Sequence, residues 1–193
     1  MENSDTAIVI DLYRDWIEVL RESLRQRGYD VPPDDPPFQV AIKCFNVRLR
    51  DIDDRPRTVL RASDLTFDAE YRDAINEIQR KTEAGENLTP HLSKRLLDAS
   101  FHDPLLNDWG LHHLHLSTAI GASGFTDRTG PLLFAKVTDE TLCMVAVRGH
   151  GSWTDRCLLE STLSSWPELL VPFEVKGIVG PAMEITEREH ARL

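Results

Sequence analysis

The stretch Pro131-Leu132-Leu133-Phe134-Ala135-Lys136-Val137-Thr138-Asp139-Glu140-Thr141-Leu142-Cys143-Met144-Val145-Ala146-Val147-Arg148-Gly149 decides the fold. Two short apolar runs flank a polar step. Residues 132–137 and 142–149 read as strands, and Asp139-Glu140 as the tight hairpin turn between them. Residues 142–147 are apolar on both faces, so this strand is expected to be central and covered on both sides. Working upstream, residues 111–118 read as a third strand. Residues 121–130 form the flexible connection and carry Arg128.

The third strand lies in Trp109-Gly110-Leu111-His112-His113-Leu114-His115-Leu116-Ser117, with three histidines in four positions. Side chains alternate between faces along a strand. His113 and His115 therefore point one way, and His112, Leu114 and Leu116 the other. A second histidine signal follows the hairpin in Arg148-Gly149-His150-Gly151-Ser152-Trp153. The glycines let the backbone turn sharply and present His150. If strands 111–118 and 142–149 share a sheet, His150 can meet His113 or His115 at its end.

Three imidazoles on one surface permit two chemistries. One is acid–base catalysis, because histidine titrates near neutrality. RNA cleavage needs such a pair plus a cation for the phosphorane, and Arg128, Arg148 or Lys136 can supply it. The other is zinc: an H-x-H pair with a distant third histidine is a ligand layout, and Asp103 or Asp108 can add an oxygen. A third reading is structural, with each ring bonded to a neighbouring carbonyl. Spacing alone leaves all three open. His102-Asp103 has the form of a metal-binding HD pair but lacks further ligands on helices. Ser152 is not in a G-x-S-x-G context, and no P-loop or G-x-G-x-x-G is present. Trp109, Trp153 and Trp166 read as packing residues, with base stacking on Trp109 or Trp153 the alternative.

Helices are expected over residues 67–84, ended by Gly85, and from Thr89-Pro90 to about residue 99, with Lys94 and Arg95 on it. His102-Asp103-Pro104 reads as the start of a loop. Residues 155–166 read as a helix with Leu158, Leu159, Thr162 and Leu163 inward. Residues 173–179 read as a last edge strand and 186–193 as helical. Toward the N-terminus, residues 6–27 show apolar positions at three- and four-residue steps: Ile8, Leu12, Trp16, Val19, Leu20 and Leu24. Asp5 is the expected cap and Gly28 the stop. Val31-Pro32-Pro33-Asp34-Asp35-Pro36-Pro37 reads as a stiff linker. Residues 38–49 alternate as a strand whose apolar phase moves from Phe38, Val40, Ile42 and Cys44 to Phe45, Val47 and Leu49, as at a bulge. After the turn Asp51-Ile52-Asp53-Asp54, residues 57–61 are expected to pair back on it. This hairpin is locally basic through Lys43, Arg48, Arg50, Arg55, Arg57 and Arg61. The expected organisation is thus an N-terminal helix (1–30), a proline-rich linker (31–37) and a single α+β domain (38–193). Its mostly antiparallel sheet carries packed helices.

The 193 residues include 32 acids and 22 bases, a net charge of −10. That argues against a broad nucleic-acid surface, since phosphate binding is driven by Lys and Arg. A local basic cleft, or an acidic surface that binds a basic partner, is compatible with it. Cys44, Cys143 and Cys157 are an odd set without CxxC and read as reduced core cysteines. No apolar run reaches the ~20 residues of a membrane span. Met1-Glu2-Asn3-Ser4-Asp5 has no basic n-region. A cytoplasmic protein without membrane contact is expected.

From residue 38 the expected order is strand, strand, helix, helix, then three strands and a helix. Over about residues 68–166 this resembles the RelE/ParE superfamily of small bacterial toxins, which place two helices before a three-stranded antiparallel meander. The likeness is carried by Leu132-Leu133-Phe134-Ala135-Lys136-Val137, a short acidic turn, residues 142–147 and Gly149-His150. The resemblance implies a RelE-like core and metal-independent endoribonuclease activity on mRNA, usually at the ribosome, restrained by an antitoxin-like protein. His150 matches position by position. His113 and His115 fall on the first meander strand, where the family places basic residues. The implied catalytic set is His113, His115 and His150, with Arg128, Arg148 and Trp109 against the RNA and no cofactor. The alternatives are a zinc-dependent hydrolase or structural metal site on the same histidines, and a non-catalytic interaction protein.

Overall fold

The computed structural model describes residues 10–149 and 156–173. Contacts divide the chain into two compact units. Of the described residues, one holds 10–49 with Leu97–Phe101, and the other holds 50–96, 102–149 and 156–173.

In the first unit, α1 spans Leu12–Gln26. Asp11 caps it by accepting the Arg14 N–H at 3.0 Å. Gly28, at φ +84°, ends it, and the Gly28 and Tyr29 N–H groups return to the Arg25 and Leu24 carbonyls. The expected apolar stripe divides: Leu20 and Leu24 are buried with Ile17, while Leu12, Trp16 and Val19 are exposed. Ile8 and Asp5 lie outside the described residues. The proline-rich stretch is a turn held from both sides. Arg21 donates to the Pro32 carbonyl at 2.6 Å, and Lys43 pairs with Asp35 at 2.5 Å.

Residues 38–49 are not a strand. They belong to α2, Pro37–Arg50, with proline in the first turn where its missing N–H costs nothing. Val40, Cys44 and Val47 pack against Ile17, Leu20, Leu24 and Val31. Phe38, Ile42, Phe45 and Leu49 lie on the other side of the helix, exposed. At 100° per residue the two stripes sit about 160° apart. Two opposed helical stripes offset by two residues mimic strand alternation, which is why the sequence read as one.

The second unit is built on four strands: β1 Thr58–Arg61, β2 Leu111–His115, β3 Pro131–Val137 and β4 Thr141–Gly149. Their order is β1-β4-β3-β2. The β2–β3–β4 meander is antiparallel, as expected, and β4 is central. β1 does not pair with residues 38–49; it runs parallel to β4, Thr58 against Thr141 and Arg61 against Met144. The class is α+β with a mostly antiparallel sheet. One face packs Leu142, Met144 and Val147 against Ile75 and Ile78 of α3, Arg72–Ala84. The other packs Phe134, Val145 and Ala146 against Leu158 of α5, Arg156–Ser165. Leu163 of α5 is exposed rather than inward.

Gly85 ends α3 at φ +70°, and a Cβ there would lie 2.6 Å from Pro56. The expected helix after Thr89-Pro90 is two 3-10 turns, Thr89–His91 and Lys94–Leu97, separated by extended backbone at Leu92. Residues 104–109, expected as loop, form α4, Pro104–Trp109. Its signals are local: Asp103 caps, Pro104 takes the first turn and Gly110 closes the end at φ +65°. Phe173 ends a 3-10 turn, Val171–Phe173. The remainder of the expected edge strand over 173–179, and the helix over 186–193, lie outside the described residues.

Candidate functional site

Among the described residues β2 is an edge strand, and the histidine run pairs with β3 alone. Alternation holds. His113 and His115 share a face, their ring centroids 6.4 Å apart and nearly perpendicular. His112 is buried on the opposite face, the side of Leu114 and Leu116. The cross-strand register extends each position into a row: His115–Leu132–Arg148, His113–Phe134–Ala146 and Leu111–Lys136–Cys143. Arg148 and Lys136 therefore lie on the face of His113 and His115. Arg148 is two strands from His115, roughly 10 Å at ordinary strand spacing, and donates to the Val147 carbonyl.

Asp103 links α4 to this strand. One carboxylate oxygen accepts the Leu106 N–H at 3.2 Å, and the other lies 3.6 Å from His113 Nδ1. Asp103 and His113 line a pocket at the outer edge of β2 together with His112 and Arg50. Arg50 is buried and donates to the Arg95 carbonyl at 2.7 Å. The cavity measures about 20 Å³, room for about one water. Of the two same-face rings, the His113 side chain is 11% exposed and His115 is 5% exposed.

His91 and Arg50 were not legible as site residues. His91 is 1% exposed, and its Nδ1–H donates to the His115 carbonyl at 3.1 Å. That bond puts the neutral ring's lone pair on Nε2, which is buried and has no hydrogen-bond partner among the described residues. Burial lowers the His91 pKa, opposed by the bond to the His115 backbone. The available signal was its place among Leu88, Leu92 and Leu96, a buried apolar series at helical spacing. Arg50, the first residue of the second unit, lines the pocket, a placement that no local pattern announces.

The other expected site residues distribute as follows. Arg128 is exposed in the loop between β2 and β3. Trp109 is half-buried, its ring 6.1 Å from Phe173 and its carbonyl accepting Lys136 Nζ at 3.1 Å. Burial lowers the Lys136 pKa. Asp108 is exposed, and the exposed His102 pairs with the Asn107 amide. His150, Ser152 and Trp153 lie outside the described residues. Cys44 and Cys143 are buried thiols, Cys157 is exposed, and burial raises the Cys143 pKa. Among the described residues, no three His, Cys, Asp or Glu side chains are grouped to hold a metal ion. No helix among them is long and apolar enough to cross a membrane.

The arrangement can orient one imidazole through a carboxylate beside a buried guanidinium, with a second imidazole on the same sheet face. Compared with known proteins, the chain matches no family model, no curated protein and no solved structure.

Proposed function

We propose that this chain is a RelE-like, metal-independent endoribonuclease with His113 as its central acid–base residue. The observation that carries the reading is the Asp103–His113 pair in one pocket with Arg50. The carboxylate faces Nδ1 at 3.6 Å; drawn into hydrogen-bond distance when substrate binds, it would set the tautomer and leave Nε2 to work. Neutral His113 takes the proton of the ribose 2′-hydroxyl, which attacks the phosphorus. A second imidazole, His115 or His150, protonates the departing 5′-oxygen. Arg50, Arg148 or Lys136 balances the charge of the phosphorane. A one-water cavity is too small for a phosphodiester, so the outer edge of β2 must open when RNA binds. An antitoxin-like protein is the partner this reading implies, and the cytoplasm its place.

The test is cleavage of RNA by the purified chain in EDTA. Wild type cleaves, and His113→Ala and His115→Ala each lower the rate by about 10²–10⁴-fold, the usual range for a general acid or base. Undiminished cleavage by both variants sinks the assignment.

One observation favours a second reading, a non-catalytic interaction protein: His91, His112 and His115 are each more than nine-tenths buried. Wild type that never cleaves RNA, together with a His113→Ala/His115→Ala variant that keeps fold and partner binding, would establish it.

A further inference from the structure

We infer that His112, together with Arg50, donates to the non-bridging oxygens of the scissile phosphate; this rests on the reading of His113 as the base of an RNA-cleaving site. Alternation puts His112 on the face of β2 opposite His113 and His115. The cavity at the outer edge of the strand nevertheless takes both His112 and His113 into its lining, with Arg50 and Asp103. His115 is not among the described residues that line it. Inside a sheet, neighbouring strands keep the two faces apart. Among the described residues no strand pairs beyond β2, so side chains from both faces can reach round its edge into one space.

The four polar groups divide by chemistry. Asp103 faces His113 Nδ1 and serves the base. Arg50 and an imidazole N–H of His112 are the donors left to meet an anion. Arg50 and His112 are 6% and 8% exposed. Donors held in a water-poor cavity stabilise charge that develops in the transition state far more than donors in water do. Two other cations compete for the role. Arg148 donates to the Val147 carbonyl and Lys136 to the Trp109 carbonyl, and neither lines the cavity.

The step balances without a proton on His112. The 2′-oxygen bonds to phosphorus as its proton passes to His113, and the bond to the 5′-oxygen breaks as that oxygen takes a proton from the acid. Negative charge collects meanwhile on the two non-bridging oxygens, where Arg50 and His112 donate. His112 neither takes nor gives up a proton.

The experiment is cleavage by the full chain, in EDTA, of an RNA with one phosphodiester prepared as each of its two phosphorothioate diastereomers. Sulfur accepts hydrogen bonds poorly, so wild type cuts one diastereomer more slowly than the oxygen substrate. His112→Leu lowers kcat on the oxygen substrate by about 10²–10³-fold, the loss of one oxyanion donor, with KM little changed. In that variant the penalty for sulfur shrinks, because the contact that sulfur weakens is already gone. A residue that only packs the strand would leave the penalty unchanged. His112→Phe repeats the measurement with a ring of similar size. His112→Gln keeps an N–H donor, recovers part of the rate and retains the penalty. Circular dichroism reports the fold of each variant. A sulfur penalty of wild-type size in His112→Leu or His112→Phe overturns the inference. So does cleavage of the oxygen substrate by either at the wild-type rate, or His112→Gln no faster than His112→Leu. In each of those cases a wild type that needs His113 keeps its base. A wild type that cleaves no RNA removes base and donor together.

Discussion

In α2, Phe38, Ile42, Phe45 and Leu49 stand exposed; in β2, His112 and His115 are buried, with His91 buried against the same strand. The helical unit has apolar groups outside and the sheet unit has imidazoles inside. The costs differ. An apolar side chain exposed in both folded and unfolded chains forgoes stabilisation but pays no desolvation. A buried imidazole gives up water and must recover it in hydrogen bonds. The helical stripe is thus cheap to keep and the histidine strand expensive. Both depart from what stability alone selects, and such departures gather at functional surfaces. The difference also tells which substitutions each region tolerates.

The largest expected effect tests that difference directly. Phe134 is fully buried in the sheet, whereas Phe45 lies on the outward stripe. Phe134→Ala should cost about 3–5 kcal/mol of the sheet unit's stability through lost transfer energy and a cavity. Phe45→Ala should change the helical unit by no more than about 0.5 kcal/mol in dilute solution. Urea titrations can follow Trp109 and Trp166 for the sheet and Trp16 for the helices. Equal losses would mean that the α2 stripe is covered, and the comparison would fail.

The same contrast explains what the sequence disclosed. The β3–β4 hairpin, the central place of β4 and the separation of His112 from His113 and His115 all follow from period-two patterning, which one buried sheet makes unambiguous. Residues 38–49 misled because a helix with two opposed apolar stripes has nearly the pattern of a strand with a phase change. The parallel pairing of β1 with β4 is a long-range choice with no local mark. α4 did carry a local mark, Asp103-Pro104 at one end and Gly110 at the other, in a segment too short for periodicity to show. For the site, alternation identified His113 and His115. Arg50 joins the pocket through the fold alone, and His91 meets the strand from within a buried leucine series that marks it as core, not as a partner of β2.

An intermediate effect separates structure from chemistry at Asp103, which both caps α4 and faces His113. Asp103→Ala removes the cap and should cost about 0.5–2 kcal/mol. Asp103→Asn keeps a good cap and loses the negative charge beside His113. Its melting temperature should stay near wild type while RNA cleavage falls. If Asn and Ala destabilise alike, the carboxylate acts in the fold through more than the cap. If cleavage by the Asn variant is unchanged, His113 does not depend on its partner.

The smallest effect is a pH dependence, and it comes from the expensive side of the comparison. Burial is the largest influence on His91 and lowers its pKa in the folded protein; the bond to the His115 carbonyl opposes this in part. Lys81 acts in the same direction as burial, and Glu77 against it. The unfolded chain, with its imidazole near the ordinary ~6.5, therefore binds the proton more readily than the folded one. Stability must rise with pH over the interval between the two values. The contribution is complete above the unfolded pKa and is lost as pH falls through the folded one. A second proton also needs an acceptor at Nε2, which has none among the described residues. Between pH 7 and pH 5 the wild-type urea midpoint should fall further than that of His91→Asn, which cannot titrate there. Parallel midpoints across that window would show that the ring is solvated or has found a partner. The histidine strand would then be less costly than its burial implies, and the two regions of the molecule more alike.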